Sequence, residues 1–229
     1  MPELWVCQTG QVPYAEALAL QERLREQRQA DAIPDVLLLL EHPPVYTRGR
    51  RSEQAELQFS EDWYAQQGID VVDVDRGGRL TYHGPGQLVG YPIVRVGPII
   101  DFLRTMELAI VATLAAEGIE ARGADDRPTG VWVGERKIAS LGIHVQRRVS
   151  THGFALNVNN DLTPFEWIVP CGLPDVQMTS VTRESGRGDL MDCVRKRLAF
   201  ELAQALGLRQ RLVSRTRLEH AVGAALVAS

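Results

Sequence analysis

Residues 36–40, Val-Leu-Leu-Leu-Leu, set five apolar side chains in an unbroken row between Asp35 and Glu41. Successive side chains of an extended strand point to opposite faces, so a row without polar alternation reads as a strand buried on both. That implies a central sheet covered by helices. The helices are legible. Residues 13–29 carry Ala17, Leu20 and Leu24 along one face, with Pro13 suited to the first turn. Ile99, Leu103, Met106, Ile110 and Leu114 trace a second stripe that stops near Gly118, and Leu190, Val194, Leu198, Leu202 and Leu206 a third within 188–206.

Strands are expected at 4–8, 69–74, 88–94 and 119–122, and 131–133, 137–145 and 149–158 alternate like neighbouring antiparallel strands with turns at Gly134-Glu135 and 146–148. His42-Pro43-Pro44 takes the chain out of the sheet, because proline cannot donate to a central ladder, and a loop with Arg48, Arg50 and Arg51 follows. Ser60 can cap a short helix over 61–67, Phe165-Glu166-Trp167 opens a short helical piece, and 215–229 reads as a weak final helix. The expected fold class is α+β (mixed α/β), with mixed sheets flanked by helices. Residues 1–229 are expected to form one domain, with 208–229 as a C-terminal appendage helix.

Composition narrows the class of function. With 229 residues, 45% of them apolar and 24% charged, the chain matches an ordinary globular protein. It lacks an apolar run of membrane-spanning length, and residues 1–14 lack signal-peptide character, so a cytoplasmic protein with no membrane partner is expected. Three cysteines without C-x-x-C spacing argue against a disulfide framework and a zinc site, and no metal is expected. A net charge of −4 excludes a globally basic nucleic-acid binder. Among 25 basic residues only Lys137 and Lys196 are lysines, the type whose ammonium can lose its proton when its surroundings depress its pKa.

Arg76-Gly77-Gly78-Arg79-Leu80-Thr81-Tyr82-His83-Gly84-Pro85-Gly86-Gln87 holds four glycines in twelve residues. Glycine is costly inside regular elements and useful where backbone turns sharply or another molecule approaches it, so this run reads as a ligand-facing loop. Gly84, Gly86 and Gly90 miss the G-x-G-x-x-G spacing of a dinucleotide site by one residue. Cys171, between Pro170 and Gly172, is expected on an irregular turn with room for a substrate. A thiol of ordinary pKa is mostly protonated at neutral pH, so a nucleophilic Cys171 needs a partner favouring the thiolate. His83, His144, His152 and Lys137 are the candidates; Cys7 and Cys193 read as structural thiols and His42 as a loop residue.

Four segments in order carry a resemblance. They are the run 76–87; Gly130-Val131-Trp132-Val133 with Lys137-Ile138-Ala139-Ser140-Leu141-Gly142; His152-Gly153-Phe154-Ala155-Leu156-Asn157-Val158; and Pro170-Cys171-Gly172. Together, over about residues 38–183, they resemble the lipoyl (octanoyl) transferase family. The resemblance implies the fold of biotin and lipoate protein ligase catalytic domains. It also implies transfer of an octanoyl group from the phosphopantetheine thioester of octanoyl-acyl carrier protein to a lysine of lipoyl domains, in E2 subunits of 2-oxoacid dehydrogenases and in the glycine cleavage H protein. By position Cys171 matches the acyl-thioester nucleophile and Lys137 the lysine that assists it. Arg76, Gly77, Gly78, Arg79, Leu80, Thr81, Tyr82, His83, Ser140, Leu141, Gly142, Gly153, Phe154 and Ala155 match substrate-contacting segments. No cofactor is implied, since 4'-phosphopantetheine arrives with the donor.

The chemistry is coherent, because donor and intermediate are both thioesters and the first transfer is nearly isoenergetic. Tyr82, Leu141 and Phe154 are candidate walls of an acyl slot. Arg48, Arg50, Arg51, Arg147 and Arg148 are candidates to dock an acidic carrier protein. The competing readings are an ATP-dependent lipoate or biotin protein ligase, an amidotransferase acting between lipoyl domains, and a non-catalytic acyl-binding module.

Overall fold

The computed structural model describes residues 1–124, 128–169 and 176–223. Seven strands form one mixed sheet in the order β10-β1-β2-β6-β9-β8-β7. In chain order these are β1 (Glu3–Gln11), β2 (Asp35–Glu41), β6 (Gln87–Ile93), β7 (Gly130–Val133), β8 (Arg136–Gln146), β9 (Val149–Asn157) and β10 (Arg209–Leu212). β1 runs parallel to β2 and β10, and every pairing from β2 onward to β7 is antiparallel.

β2 is buried on both faces, as its unbroken apolar row requires. Leu37 and Leu39 enter a core with Leu4, Val6 and Leu88 beneath α3 (Ile99–Ala116) and α5 (Met191–Ala205). Val36, Leu38 and Leu40 face α1 (Tyr14–Gln29), whose Ala17, Leu20 and Leu24 cover them. One row of leucines thus serves two cores, and helices lie on both sides of the sheet.

A three-stranded sheet of β3 (Val45–Arg48), β4 (Asp70–Asp73) and β5 (Thr81–His83), ordered β4-β3-β5, stands beside it. It packs Tyr46, Leu80 and Tyr82 against Tyr64 of α2 (Glu61–Gln66) and against Phe165 of the 3-10 turn Thr163–Trp167. Ser60 caps α2, its hydroxyl accepting from Trp63 N at 3.3 Å.

The structure departs from expectation at several places. The chain after Pro43-Pro44 is not a loop but becomes β3, and part of the glycine-rich run is strand β5. Strands of three or four residues are too short for a period-2 pattern to register, and they exist here by pairing with distant segments. Residues 119–122 form no strand; Arg122 makes a lone bridge to Trp132. Helix α5 starts at Met191 rather than 188, after Asp189 at φ +56°. Of the region expected as an appended helix, the described part is the edge strand β10 and α6 (Arg215–Gly223), whose Leu218 and Val222 sit in the α1-side core. Ahead of α5, α4 (Val181–Ser185) is capped by Ser180. Among the described residues no helix is long and apolar enough to cross a membrane.

Candidate active site

A cavity of about 500 Å³ opens between the glycine-rich run, β8, β9 and the start of α3. Its size is that of a small-molecule site. Arg76, at its edge, is consumed in holding backbone. Its Nη1 donates to the carbonyls of Gly77 (3.1 Å) and Arg79 (2.8 Å), and its Nη2 to Thr47 O (2.6 Å) and Oγ1 (2.7 Å). Gly77 N donates to Ile143 O at 3.0 Å, pinning the run to β8. Glu56, buried, accepts from Arg79 Nη1 (2.7 Å) and Leu80 N (3.1 Å).

From Leu80 the run becomes extended, and side chains alternate. Arg76, Gly77, Gly78, Arg79, Thr81 and His83 line the cavity. Leu80 and Tyr82 point the other way, into the core of the small sheet, where the Tyr82 ring lies 5.5 Å from those of Tyr46 and Phe165. Tyr82 therefore packs a core rather than a slot. The apolar walls are Leu141 and Phe154 with Ile99 and Leu103 of α3, and Ser140, Gly142, Gly153 and Ala155 complete that side. The far end of the Phe154 ring occupies the space over Gly90, its partner in the β6–β9 pair, where a Cβ would meet it at 2.0 Å.

Lys137, also in the cavity wall, is 1% exposed. Lysine is rarely buried so fully, and here its shaft fits only because position 130 is glycine, where a Cβ would stand 2.4 Å from Lys137 Cε. Its Nζ lies 5.4 Å from the centroid of the Trp132 ring, a cation–π placement. Gly130 N donates to the buried carboxylate of Glu107 at 3.0 Å, and Glu107 also accepts from Arg104 at 2.7 Å.

Cys171 falls in 170–175, outside the described residues. The chain on either side is firmly held. Val169 N donates to Glu56 O at 2.9 Å, and Ile168 bridges Leu57. On the far side Lys137 N donates to Gln177 O and Thr179 N to Lys137 O, both at 2.9 Å. Asn157 Nδ2 donates to Thr179 O at 3.0 Å.

A network that sequence reading passed over lies along the α1 side of the cavity. His152 Nε2 and Asp75 Oδ1 are 2.7 Å apart, and Tyr14 Oη lies 3.4 Å from His152 Nδ1. A carboxylate only accepts, so the Nε2 proton goes to Asp75 and Nδ1 is left as the basic nitrogen toward Tyr14. Burial lowers the pKa of His152 against the opposing pull of Asp75, whose own carboxyl is held down to about 2, chiefly by that hydrogen bond. Burial raises Tyr14 to about 12. Behind them His42 Nδ1 donates to Val12 O at 2.7 Å, which makes Nε2 the acceptor for Tyr91 Oη at 2.7 Å. Burial lowers His42 to about 4 and drives His83, held by Gln87 at 2.8 Å, well below the usual histidine range. These histidines are neutral near pH 7. The one sequence signal was that Asp75 directly precedes the glycine-rich run; nothing linked it to His152.

The arginines expected to dock a partner are sorted by the fold. Arg48 is answered by Asp73 at 2.7 Å and Glu61 at 2.6 Å, and Arg50 contacts His144 Nδ1 at 2.9 Å. Arg51 stands exposed at the cavity. Arg147 and Arg148 form the exposed β8–β9 turn at φ +47° and +66°. Two-residue turns of that geometry favour asparagine and glycine, so two arginines there are unusual.

Residues 13–203 match the model of the lipoyl protein ligase A/B catalytic domain. The octanoyltransferase of Caldicellulosiruptor saccharolyticus is 42% identical over 225 residues, covering 96% of each chain. That of Acidothermus cellulolyticus is 47% identical over 205 residues, 86% of this chain and 89% of the relative. Among solved structures, a lipoate-protein ligase A bound with ATP superimposes with a TM-score of 0.76 at 19% identity, over 100% of this chain and 94% of that one. The biotin protein ligase of Aquifex aeolicus gives 0.53 at 13% identity, over 90% and 70%. The ligases share the fold, and the relatives of high identity share the activity: the chain belongs to the lipoyl protein ligase A/B catalytic domain family, among its octanoyltransferases.

Proposed function

We propose that the chain transfers octanoyl from the phosphopantetheine thioester of acyl carrier protein to a lipoyl-domain lysine through a thioester on Cys171, assisted by Lys137. The observation that carries this is the position of Lys137. It is buried in the wall of an apolar-sided cavity, and its backbone is bonded to Gln177 and Thr179, shortly after the stretch that holds Cys171. An ammonium about 4 Å from the sulfur would favour the thiolate by up to about 4 kcal/mol at an effective dielectric near 20. Lowering a thiol pKa by about 1.5 units takes only about 2 kcal/mol, so the pairing suffices even after desolvation takes its share.

In the first step the Cys171 sulfur attacks the donor carbonyl, and the pantetheine sulfur leaves with the proton of Lys137. In the second, the acceptor amine displaces Cys171. The protein residues supply position and charge, and the acyl chain lies between Leu141 and Phe154. Lipoyl domains of E2 subunits and of the glycine cleavage H protein are the acceptors in this reading, the enzyme is cytoplasmic, and it needs no cofactor of its own. A bi-partite lipoate protein ligase of Thermoplasma acidophilum, similar in fold, was analysed structurally as part of a lipoylation system that includes its E2 lipoyl domain.

Intact mass after incubation with octanoyl-acyl carrier protein tests the reading. One octanoyl adduct is expected, absent in Cys171→Ser and discharged by an added lipoyl domain. An adduct that persists in Cys171→Ser, or lipoate-dependent pyrophosphate exchange with no adduct, overturns it in favour of another nucleophile or of adenylate chemistry.

A further inference from the structure

Forming the amide leaves a proton that the Cys171–Lys137 pair cannot absorb. An acceptor lysine enters as an ammonium with three N–H protons, and the amide keeps one, so two must go. In the cycle above the departing pantetheine sulfur carries away the proton of Lys137. Lys137, then a neutral amine, can take up one proton, which restores the resting pair when the C–S bond breaks and Cys171 leaves as thiolate. The other proton has to reach water.

We infer that Tyr14, His152 and Asp75 form its path, a role that rests on the function proposed above. Tyr14 and His152 line the cavity; His152 Nδ1 lies 3.4 Å from Tyr14 Oη and its Nε2 2.7 Å from Asp75 Oδ1. The side chain of His152 is 2% exposed, whereas that of Asp75 is 46% exposed, so the row leads from the cavity wall to solvent. After the C–N bond has formed, the nitrogen of the tetrahedral adduct gives its proton to Tyr14 Oη as Tyr14 passes its own to His152 Nδ1. The imidazolium is balanced by Asp75 and discharges to water at that carboxylate. Tyr14 is unchanged and one proton leaves; His152 keeps its proton on Nδ1, and a flip of the ring restores the resting arrangement with Nε2–H toward Asp75.

Two further features set His152 apart from a packing histidine. It sits at φ +57° within β9, opposite Ile143 with no register shift, a conformation costly for a residue with a Cβ. Its backbone N–H is held there by the buried Gln21 at 2.8 Å. The groups facing it are Tyr14 and Gln21 from α1, Tyr91 from β6, His144 from β8, and Asp75 and Arg76 from the connection after β4. Tyr14, Gln21 and Tyr91 carry no charge near pH 7, so Asp75 is the group oriented to accept from the ring.

The test separates the half-reactions in the full chain. Octanoyl-enzyme formation and its discharge onto a lipoyl domain are timed by intact mass for Tyr14→Phe, Asp75→Asn and His152→Asn, the last keeping a residue that tolerates positive φ. Formation should fall less than about threefold and discharge about 10²-fold, the usual worth of a positioned proton acceptor. The discharge defect should narrow toward about pH 9.5, because more of the acceptor lysine arrives already neutral and then has only the one proton that Lys137 takes. Equal loss in both half-reactions, no loss in either, or a defect that does not narrow with pH overturns the inference. Wild-type enzyme that forms no adduct at all overturns the underlying thioester reading instead.

Discussion

Lys137 donates its backbone N–H to Gln177 O at 2.9 Å, and through this bond the strand bearing the buried amine is tied to the chain that follows residues 170–175. Gly130 and Glu107 complete the seat from the other side. The amine is thus located by backbone ladders and by one missing Cβ.

Gly130→Ala should therefore unseat Lys137. The added methyl would stand 2.4 Å from Lys137 Cε and 2.7 Å from Ala139 O, at φ +153°. Octanoyl transfer is expected to fall by about 10²-fold, in the range of a misplaced catalytic group. Stability should fall by about 1–3 kcal/mol, the usual cost of overpacking. Steady-state kinetics and denaturant unfolding measure the two.

Glu107→Ala leaves the Gly130 N–H buried without its acceptor, which costs about 1–3 kcal/mol. Glu107→Gln keeps an acceptor oxygen and should lose less stability. If unfolding midpoints of the two variants coincide, the hydrogen bond to Gly130 does not contribute as described.

The acyl chain and the small-sheet core are to be told apart by length selectivity. Leu141→Ala widens the cavity wall and should shift the preference toward longer acyl groups, each methylene being worth about 1–3 kcal/mol of discrimination. Tyr82→Leu, in the other core, should lower stability and leave the preference as it was. Competition between octanoyl and decanoyl donors reads this directly.

Acid should weaken the fold in two stages. His42, held down to about 4, is neutral when folded, whereas in the unfolded chain it takes up a proton below about pH 6.5. Its stabilising contribution is complete above that pH and is lost as pH falls toward about 4; a shift of this size corresponds to about 3 kcal/mol. His152 and His83, lowered in the same direction, add to it. Asp75 contributes above about pH 4, the ordinary carboxylate range, and that contribution goes as pH falls toward about 2. Urea midpoints between about pH 7.5 and 4.5 should fall steeply in the wild type and less in His42→Gln, which cannot take up a proton.

Charge reversal at Arg51, or at Arg147 with Arg148, should raise the apparent KM for the carrier-bound donor and spare a short pantetheine thioester. Arg48→Glu should matter less for docking, since that guanidinium is already engaged by Asp73 and Glu61. Equal effects on both donors would remove these arginines from carrier recognition.

The apolar row at 36–40, the helical stripes and the β7–β9 alternation each have a local periodicity that survives in sequence, so the central sheet and its covering helices were legible. The glycine-rich run and Lys137 were legible too, because glycine in clusters and a lone lysine among arginines are anomalies of composition. Strands β3, β5 and β10 were not, because three- and four-residue segments owe their conformation to partners far along the chain. Which way Tyr82 points was settled by strand pairing, and its ring went to a core instead of the cavity. Asp75 and His152 lie 77 positions apart and carry no shared pattern, and Tyr14 lies 138 from His152. Local periodicity dictated which faces must be buried; only the closing of distant chain onto itself decided which polar groups would meet, since a hydrogen bond depends on proximity in space and leaves no trace in residue order.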